Sequence, residues 1–488
     1  MARFAVITFG CQMNKHDSDR LESVLRGAGH EPTEQPAAAD IVVLNTCSVR
    51  EKAEHKLRSE VGRIARLKRH RPELVIVVAG CMAQHEGAAL ARAMPAIDVV
   101  IGPDNIGELP GLLAQAELGG PPLVRTAFDL DAPHFLAPSA SHGGARRACA
   151  YVTIMKGCDE RCSFCIVPYT RGPERYRPSD DIVAEVAGLV AGGVREVTLL
   201  GQTVNSYTDP LRALPPAPQH DPHDPGESEL AALCGRIAAE VPALARLRYT
   251  SPHPRHLSRS LVAAHRELSV LCRHLHLPVQ SGSDRMLKRM IRRHDRAEYL
   301  CRVDALRRAV PGLTLSTDVI VGFSGETEED FAATLALVRE VGFTSLFGFK
   351  YSPRPLTPAL KLCDDVPESV KEERLAALFA VSEELAGAHL RGLVGSRQQV
   401  LVEGPSKSSP ARHTGRTERN EIAHIEGASE LELTGELVVV EIVEAFKHSL
   451  GARLAPGEHE RLRPQSAADG GARPRRALPL LGASAGHG

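Results

Sequence analysis

The chain has 488 residues, enough for roughly two to four domains, so it needs neither a metal nor a disulfide merely to form a core. Its 59 Lys and Arg residues balance 60 Asp and Glu residues, for a formal net charge of -1. This balance excludes a global attraction to nucleic acid or to an anionic membrane, so any basic surface must be local.

The N-terminal apolar run is too short for a signal peptide, and no stretch reaches about 18 uninterrupted apolar residues. We therefore expect a cytoplasmic protein with no membrane partner. Eleven cysteines in a reducing compartment indicate thiolate chemistry or burial rather than disulfides. Simple burial as an apolar thiol is the expectation for Cys149, Cys234, Cys272, Cys301 and Cys363.

The first part of the chain alternates short apolar runs with amphipathic helical stretches. The runs are FAVITFGC, DIVVLNTC, LVIVVAGC and DVVIGPDN, and their pattern predicts βα units around a parallel sheet. Three predicted strands end in a cysteine, namely Cys11, Cys47 and Cys81, which we call the N-terminal trio. Because the carboxyl ends of parallel strands share one edge of the sheet, these thiols can meet there.

A second βα series follows a linker rich in Pro, Gly and Ser. Its strand candidates are YVTIMKGC, REVTLLGQ, RLRYTS, HLHLPVQS, TLSTDVIVGF and FTSLFGFKY. Such a series predicts an open, partial (β/α)6 barrel whose active site lies at the C-terminal ends of the strands. A Pro-rich insertion at 209–228 is expected to be a surface loop.

The C-terminal region has a different sequence pattern, with short predicted strands separated by Gly, Pro and polar turns. This pattern predicts a small antiparallel β-barrel. The expected fold is therefore α/β and multidomain. The predicted boundaries are 1–118 for an N-terminal parallel α/β sheet domain, 119–143 for the linker, 144–393 for the open barrel, 394–457 for the β-barrel and 458–488 for a disordered tail.

The first strand of the open barrel runs into KGCDERCSFC, where Cys158, Cys162 and Cys165 form what we call the CxxxCxxC trio. A closed zinc site needs a fourth ligand, and the nearest extra candidates are His142 and Cys149 near the linker. A 4Fe-4S cluster can instead be held by three thiolates, which leaves one iron open to an exogenous ligand. The spacing therefore favours an iron-sulfur cluster over zinc or inert thiols.

KGCDERCSFC also resembles the signature of the radical S-adenosylmethionine enzymes. GCQMN, LNTCSVRE and AGCMAQ are similar to the N-terminal domain of the methylthiotransferases, and the similarity continues through IVPYTRGPERYRPSDDI, LPVQSGSD and STDVIVGFSGETEEDF. We identify the chain as a member of the radical S-adenosylmethionine methylthiotransferase family. It departs from the family at Tyr176, Thr203, Ser324 and Leu356, where Ser, Asn, Pro and Gly are usual.

The resemblance implies two 4Fe-4S clusters. One, on the CxxxCxxC trio, binds S-adenosyl-L-methionine and cleaves it to a 5′-deoxyadenosyl radical. The other is an auxiliary cluster on the N-terminal trio and carries the sulfur-insertion chemistry. No side chain is expected to act as a catalytic acid or base, because the cofactors perform the C–H cleavage.

The implied reaction is transfer of a methylthio group to carbon 2 of N(6)-dimethylallyladenosine next to the anticodon of tRNA, because GCQMN is similar to that branch of the family. Two sister activities remain open: methylthiolation of threonylcarbamoyladenosine in tRNA, or of an aspartate in a ribosomal protein. From another class, a non-catalytic RNA-binding scaffold whose cysteines hold zinc also remains open. The expected partners are the anticodon stem-loop of tRNA and an electron donor such as a flavodoxin-type reductase, and we expect a monomer.

Several strand-end residues are placed to line the mouth of the open barrel, as candidate contacts to S-adenosylmethionine. They are Gln202, Asn205, Ser251, Gln280, Gly322 and Glu326. For each of them, a role in a turn or a helix cap fits the sequence equally well. Gly322 permits a tight turn, and Glu326 opens a predicted helix whose first turn favours acidic residues.

The predicted β-barrel resembles a TRAM domain, a small RNA-binding β-barrel. Its candidate phosphate contacts are Lys407, Arg412, Arg416, Arg419 and Lys447, with His448 beside them.

Two further basic residues, Arg171 and Arg175, follow the CxxxCxxC trio. They either steer a polynucleotide or pair with Asp180 and Asp181, and the sequence leaves both readings open.

Overall fold

The computed structural model describes residues 1–48, 51–130, 135, 147–212, 226–406 and 409–462. Most of the predicted linker, most of the Pro-rich insertion and most of the predicted tail lie outside these residues. Within the described ranges, no helix has the length and apolar character needed to cross a membrane.

The N-terminal unit is a six-stranded sheet in which every neighbouring pair of strands is parallel, in the order β2-β1-β3-β4-β5-β6. Its strands are β1 Arg3–Phe9, β2 Glu31–Pro32, β3 Ile41–Thr46, β4 Val75–Gly80, β5 Val99–Ile101 and β6 Leu123–Arg125. Its helices are α1 Gln12–Gly27, α2 Glu51–Lys68, α3 Cys81–Ala93 and α4 Leu109–Ala116. Central strands β3 and β4 are buried along their whole length, as their unbroken apolar runs predict.

Apolar side chains cover both faces of this sheet. Helices α2 and α3 pack on one face, and helices α1 and α4 pack on the other. Strand β6 pairs with β5, although its residues fall in the predicted linker 119–143. The predicted start of the linker is therefore wrong, because the chain first completes the sheet.

The central unit is an open barrel of six parallel strands, which confirms the predicted fold class. Its elements are β7 Cys149–Thr153, β8 Met155–Lys156, α5 Val167–Thr170, β9 Arg175–Tyr176, α6 Ser179–Ala191, β10 Glu196–Leu200, α7 Glu229–Glu240, β11 Arg246–Tyr249, α8 Arg259–Glu267, β12 His274–His276, α9 Asp284–Arg289, α10 Arg296–Ala309, β13 Thr314–Val321, α11 Glu328–Val341, β14 Ser345–Lys350 and α12 Glu368–Gly392. The barrel strands form two sheets, β11-β10-β7 and β12-β13-β14, joined by a single parallel bridge between Leu247 and Leu271.

The run YVTIMKGC is not one strand. Strand β7 ends at Thr153, and after Ile154 the chain enters β8, which pairs antiparallel with β9. Lys156 of β8 lies opposite Arg175 of β9. This short ribbon carries the loop of the CxxxCxxC trio between its two strands, so the loop stands at the C-terminal end of the barrel.

The C-terminal unit is a closed five-stranded barrel in the order β15-β16-β17-β19-β18. Its elements are β15 Arg397–Ser406, β16 Ser409–Thr417, β17 Ile422–Glu426, β18 Leu437–Ala445, β19 Leu450–Leu454 and a final helix, α13 Glu458–Leu462. Strands β17 and β19 pair in parallel, so the barrel is not antiparallel throughout as predicted. Helix α13 occupies the predicted start of the disordered tail, and Glu458 accepts a hydrogen bond from the Val439 N–H at 3.1 Å.

The β-barrel packs against the end of the open barrel at which the open barrel's strands begin. The Arg246 guanidinium donates to the backbone carbonyls of Arg416 and Gln399 at 2.7 and 2.9 Å. Arg248 donates to the carbonyls of Thr417 and Glu418, both at 3.0 Å. The β-barrel therefore lies at the opposite end of the strands from the CxxxCxxC loop.

The five cysteines expected to be buried divide into three groups. Cys234 and Cys272 are buried and Cys149 is partly buried. Cys301 and Cys363 are exposed, so that expectation is wrong for these two.

Candidate active site

The N-terminal trio gathers at one edge of the first sheet. Cys11 follows β1, Cys47 follows β3 and Cys81 begins helix α3 directly after β4, and these three strands are neighbours. The Cys47 thiol hydrogen-bonds to Cys11. Gly10 permits this approach, because a Cβ at Gly10 would lie 2.6 Å from the Cys47 Cβ and its φ is +143°.

Two buried asparagines hold the loop that carries Cys11. The Asn14 side chain donates to Asn45 Oδ1 at 3.3 Å and to the Thr46 carbonyl at 3.1 Å. Asn45 returns a hydrogen bond to the Asn14 carbonyl at 2.8 Å. The Cys11 thiol in turn donates to Asn14 Oδ1 at 3.4 Å. The GCQMN segment therefore locks the end of β1 to the end of β3, a role that the sequence analysis did not assign.

The thiols of the N-terminal trio differ in acidity. The hydrogen bond from Cys47 lowers the pKa of Cys11 to about 6, against the opposing effect of burial. Burial raises the pKa of Cys81, and the nearby charge of Arg171 opposes that rise. The contact with Cys47 thus favours ionisation of Cys11, and the thiolate is the form in which cysteine binds iron.

The CxxxCxxC trio is held by a tight loop at the mouth of the open barrel. The Cys165 N–H donates to the Cys162 carbonyl at 3.0 Å, and Ser163 N–H donates to the Met290 carbonyl at 2.9 Å. Burial raises the pKa of Cys158 to about 11, and burial together with the neighbouring thiols raises the pKa of Cys165 to about 12. These thiols need a bound metal to lose their protons.

Gly157 sets the start of this loop. Its φ is +84°, and a Cβ there would lie 1.9 Å from the Pro173 carbonyl oxygen. The Gly157 N–H donates to Gln202 Oε1, while Gln202 Nε2 is buried without a hydrogen-bond partner in the described part of the chain. Gln202, a predicted S-adenosylmethionine contact, thus hydrogen-bonds to the residue directly before Cys158.

Thr203 is one of the four departures from the family pattern, and it touches the trio directly. Its Oγ1 lies 2.9 Å from Cys158 Sγ, where either atom could donate. The hydroxyl of Thr203 therefore stands next to Cys158, where the usual Asn of the family has a side-chain amide.

The other departures make their hydrogen bonds outside the two trios. Tyr176 donates to Glu174, and Ser324 donates to the Cys363 carbonyl. Leu356 is exposed with a φ of +66°, in the left-handed region that suits the usual glycine.

Each trio also has one buried guanidinium that donates to one of its thiols. Arg292 Nη1 donates to Cys162 Sγ at 3.3 Å and Arg292 Nη2 donates to the Pro278 carbonyl at 2.8 Å. Arg171 Nε donates to Cys81 Sγ at 3.2 Å. Sequence reasoning missed Arg292, and only its place in the basic run KRMIRRH hinted at a role.

Neither reading left open for Arg171 and Arg175 agrees with the structure. Both side chains are buried, and both face the N-terminal domain rather than solvent. Arg171 pairs with Asp17 at 2.6 Å and Arg175 pairs with Asp104 at 2.5 Å. Asp180 pairs instead with two other arginines, Arg212 and Arg236, both at 2.9 Å.

Beside Cys162 lies a group of buried polar side chains that the sequence analysis did not single out. The His253 and His294 rings are 5.6 Å apart. In the described structure neither ring's Nε2 has a hydrogen-bond partner, although His253 Nε2 lies 3.9 Å from Glu160 Oε2, and the Nε of Arg292 also lacks one. Burial lowers the pKa of His294 to about 3, and burial also holds the pKa of His253 well below its ordinary value, so both rings are neutral. These unpaired groups fit a polar ligand bound next to Cys162.

Three predicted S-adenosylmethionine contacts are already engaged within the fold. Both polar atoms of the Asn205 side chain bond to the His253 backbone, at 2.8 and 2.9 Å. The Glu326 carboxylate accepts from the Gly322 N–H at 2.6 Å and from Arg374 at 2.9 Å. The structure thus gives Asn205, Gly322 and Glu326 positions in turns, which was the alternative reading.

The remaining two predicted contacts, Ser251 and Gln280, have left-handed backbones, with φ values of +63° and +74°. The Ser251 carbonyl accepts from the Val204 N–H at 3.3 Å. The Gln280 backbone bridges to β13 through the Asp318 carbonyl at 2.9 Å. Both residues stand at the strand ends that form the mouth of the barrel.

The predicted RNA contacts of the β-barrel are scattered, and Lys407 lies outside the described residues. Arg412 pairs with Glu426 at 2.7 Å, and Lys447 pairs with Glu383 at 2.8 Å, both on the surface.

Two further members of that set lie where the β-barrel packs against the N-terminal end of the open barrel: Arg416 near the end of β16 and Arg419 in the turn that follows. The Arg416 carbonyl accepts from Arg246, and the Arg419 carbonyl accepts from Thr314.

No three His, Cys, Asp or Glu side chains in the described ranges are grouped so as to hold a single metal ion. The donor sets still fit iron-sulfur clusters, in which each thiolate binds its own iron. Each trio supplies three thiols without a fourth, together with one N–H donor to sulfur.

Three family models match the chain. The model described as "Uncharacterized protein family UPF0004" matches residues 3–102, the Radical SAM superfamily matches residues 152–338, and the TRAM domain matches residues 391–455. Together they cover the sheet domain, the open barrel and the closed β-barrel.

Curated relatives match over nearly the whole chain. A tRNA-2-methylthio-N(6)-dimethylallyladenosine synthase from Sorangium cellulosum is 64% identical over 500 residues, covering 100% of both chains. Relatives with the same name are 44% identical in Ralstonia pickettii, covering 93% of this chain and 98% of the relative, and 46% identical in Bordetella petrii, covering 92% and 90%.

Solved structures share the fold at low sequence identity. The radical S-adenosylmethionine methyltransferase TsrM from Kitasatospora setae, with cobalamin and a 4Fe-4S cluster bound, has a TM-score of 0.52 and 15% identity, covering 74% of this chain and 77% of that chain. A second structure of that enzyme, with tryptophan substrate and a SAM analog, has a TM-score of 0.51 and 17% identity, covering 73% and 74%. At this identity the likeness shows the fold alone.

Proposed function

The chain belongs to the family of tRNA-2-methylthio-N(6)-dimethylallyladenosine synthases, and we propose that it transfers a methylthio group to carbon 2 of N(6)-dimethylallyladenosine next to the anticodon of tRNA. Its full-length relatives carry this name, and its three matched domains are those of a radical S-adenosylmethionine enzyme with an RNA-binding module.

One observation carries the proposal: a short segment, residues 165–171, connects the two cysteine trios. Cys165 stands before helix α5, and Arg171 directly after it donates to Cys81 of the N-terminal trio. A methylthiolation needs a radical generator and a sulfur carrier within reach of one substrate atom. This arrangement places the two candidate sites on either side of one short stretch of chain.

The enzyme uses two 4Fe-4S clusters and S-adenosyl-L-methionine. We propose that the CxxxCxxC trio holds one cluster and the N-terminal trio holds the other. The clusters and S-adenosylmethionine supply the radical and the methylthio group, which no side chain can supply, because cleavage of an aromatic C–H bond is beyond acid-base catalysis.

The protein's own residues bind, orient and enclose these groups. Gln202 is our first candidate contact for S-adenosylmethionine, because its Oε1 accepts from Gly157, directly before Cys158, and its buried Nε2 has no hydrogen-bond partner in the described structure. Ser251 and Gln280 at the barrel mouth are further candidates. The imidazoles of His253 and His294, whose charged forms are disfavoured by burial, are candidate hydrogen-bond partners for a polar ligand.

The N-terminal domain packs against the β8-β9 ribbon, which carries the CxxxCxxC loop. Asp104 receives both Lys156 at 2.9 Å and Arg175, in a buried pair of salt bridges that fixes this domain on the β8-β9 ribbon. Thr153 adds a hydrogen bond to His16 at 3.0 Å. A domain held in this way keeps bulk water from the reacting centre.

The TRAM domain supports tRNA as the partner. We propose that the exposed side chains of Arg412 and Lys447 contact phosphates of the anticodon stem-loop, exchanging their present carboxylate partners for the RNA. Because one copy of the chain supplies both trios and the β-barrel, a monomer can hold every part. We propose that an external donor of the flavodoxin-reductase type delivers the electron and that the reaction takes place in the cytoplasm.

The proposal is tested with protein reconstituted with iron and sulfide without oxygen, then incubated with S-adenosylmethionine, reductant and tRNA carrying N(6)-dimethylallyladenosine. We expect 5′-deoxyadenosine and the 2-methylthio nucleoside, identified by mass spectrometry. Product on threonylcarbamoyladenosine tRNA or on a ribosomal protein, with none on this tRNA, would assign the chain to a sister activity. A zinc-containing, colourless protein that leaves S-adenosylmethionine intact would make it a scaffold.

A further inference from the structure

Arg171 joins three parts of the molecule with one buried side chain. Its Nε donates to Cys81 Sγ at 3.2 Å, and its Nη2 donates to Asp17 Oδ2 at 2.6 Å. Its own backbone belongs to the segment that follows Cys165, where its N–H donates to the Val167 carbonyl at 2.8 Å. The guanidinium thus reaches from the CxxxCxxC loop to two helices of the N-terminal domain.

The ion pair between Arg171 and Asp17 is buried, which fixes the orientation of the Arg171 guanidinium. The side chains of Arg171 and Asp17 are 5% and 2% exposed, and the same carboxylate is also paired with Arg20 at 3.2 Å. With its charge balanced by Asp17, the planar guanidinium can aim its Nε–H at the sulfur in a fixed direction. A lysine has no planar fork, so it cannot hold both partners in this geometry.

We propose that Arg171 is a positioning residue of the auxiliary site, which holds the Cys81 thiolate through an N–H···S hydrogen bond and sets the reduction potential of the cluster on the N-terminal trio. This inference rests on the proposed function, in that the N-terminal trio must hold a cluster.

The physical reason lies in the charge of the reduced cluster. Reduction adds a negative charge that spreads onto the sulfur ligands, and hydrogen bonds to those sulfurs stabilise it. A buried donor is more effective than an exposed one because the low local dielectric strengthens it. Loss of the Arg171 donor should therefore make the auxiliary cluster harder to reduce.

The experiment uses the full-length, reconstituted holoenzyme and its Arg171→Gln and Arg171→Lys variants. The redox titration is followed by electron paramagnetic resonance. The two signals are assigned with proteins that can hold one cluster only: the auxiliary signal is read in protein whose CxxxCxxC cysteines are replaced by Ala, and the other signal in protein whose N-terminal trio is replaced by Ala. We expect the auxiliary midpoint to move to a more negative potential in Arg171→Gln and less far in Arg171→Lys. The other cluster should keep its midpoint in both.

Two matched variants separate tuning from structural damage. Arg20→Gln removes a buried guanidinium from the same Asp17 without touching a thiol, and should leave the auxiliary midpoint in place. Arg292→Gln removes the donor to Cys162, and should move the midpoint of the other cluster instead.

The possible failures can be told apart. If wild-type protein binds only about four irons and the N-terminal trio stays empty, the proposed function fails. If both clusters assemble but neither Arg171 variant moves the auxiliary midpoint, or Arg20→Gln moves it equally, the function stands and the role of Arg171 is overturned. If Arg171→Gln does not fold, the Arg171→Lys midpoint decides the question alone.

Discussion

Arg292 donates a hydrogen bond to the Cys162 thiol at 3.3 Å, although the two residues stand 130 positions apart in the chain. The same guanidinium donates to the Pro278 carbonyl and thereby ties the CxxxCxxC loop to the far side of the barrel. Arg171 makes the corresponding contact to Cys81 in the other site. In each of the two cysteine trios, which belong to different domains, one buried arginine thus donates a hydrogen bond to one sulfur.

The two trios should separate by mutation. Replacing any cysteine of the CxxxCxxC trio by Ala should abolish 5′-deoxyadenosine formation and remove about four of the expected eight or so irons, because two thiolates hold a cluster poorly. Iron analysis and chromatography of the S-adenosylmethionine products provide the measurement. Cys234→Ala, at a buried cysteine of helix α7 that belongs to neither trio, serves as the control and should keep both iron and cleavage.

Replacing a cysteine of the N-terminal trio should also remove about four irons but leave 5′-deoxyadenosine formation intact, while the methylthio product disappears. Loss of all cleavage with the other cluster fully assembled would contradict this division of labour.

Gly157→Ala should prevent assembly of the CxxxCxxC loop. The residue has a φ of +84°, and the new methyl group would meet the Pro173 carbonyl oxygen at 1.9 Å, so the β8-β9 ribbon must move. We expect the iron content to fall by about half. Gly188→Ala, on helix α6 with open space around its Cβ, is the matched control and should stabilise by up to about 1 kcal/mol. Normal iron binding by Gly157→Ala would refute the assigned loop geometry.

The stability of the open barrel should fall as the solution becomes mildly acidic. Burial lowers the pKa of His265 to about 4, and its ring hydrogen-bonds to the Tyr249 hydroxyl at 2.6 Å. Between the unfolded pKa of about 6.5 and this folded value, only the unfolded chain binds the proton, so stability is lost as pH falls. His265 alone should cost about 1.4 kcal/mol at pH 5.5 relative to pH 7.5.

Urea unfolding of the apoprotein at the two pH values measures this loss. His265→Gln should reduce the difference between the two pH values, whereas His70→Gln, at an exposed position, should leave it unchanged. An unaltered pH dependence in His265→Gln would show that the folded protein takes up this proton as readily as the unfolded chain does.

Arg412 and Glu426 should have opposite effects on tRNA binding. Their surface ion pair, 2.7 Å between Nη2 and Oε1, contributes at most about 1 kcal/mol, so a phosphate can displace the carboxylate. Arg412→Gln should weaken binding and reduce the salt slope by about one, while Glu426→Gln should tighten binding. Binding of the anticodon stem-loop across a salt series provides the measurement. Equal tRNA affinities of the two variants would show that this face of the β-barrel does not contact the RNA.

The fold class and the cysteine trios could be predicted because their signals are local. Apolar runs of strand length set the order of the βα units, and the ends of three such runs place Cys11, Cys47 and Cys81 at one sheet edge. The edge strand β6 and strands β16 and β19 were missed, because short or polar strands carry little periodicity. These strands form because they pair with neighbouring strands of the sheet, which the pattern of their own residues does not show.

The surroundings of the trios could not be predicted, because they depend on pairs distant in sequence. One reading left open for Arg171 paired it with Asp180, nine residues away, yet its partner Asp17 comes from another domain. The His253 and His294 rings meet only when two barrel loops come together. Asn205 was predicted as a ligand contact, but the fold uses both its polar atoms on the His253 backbone.

The most direct test of the central claim is mass spectrometry of tRNA nucleosides from cells with and without the gene. The account predicts that 2-methylthio-N(6)-dimethylallyladenosine disappears in the deletion strain while N(6)-dimethylallyladenosine accumulates. It also predicts that the wild-type chain, but not a variant lacking a cysteine of the N-terminal trio, restores the modified nucleoside. An unchanged nucleoside profile in the deletion strain would contradict the account.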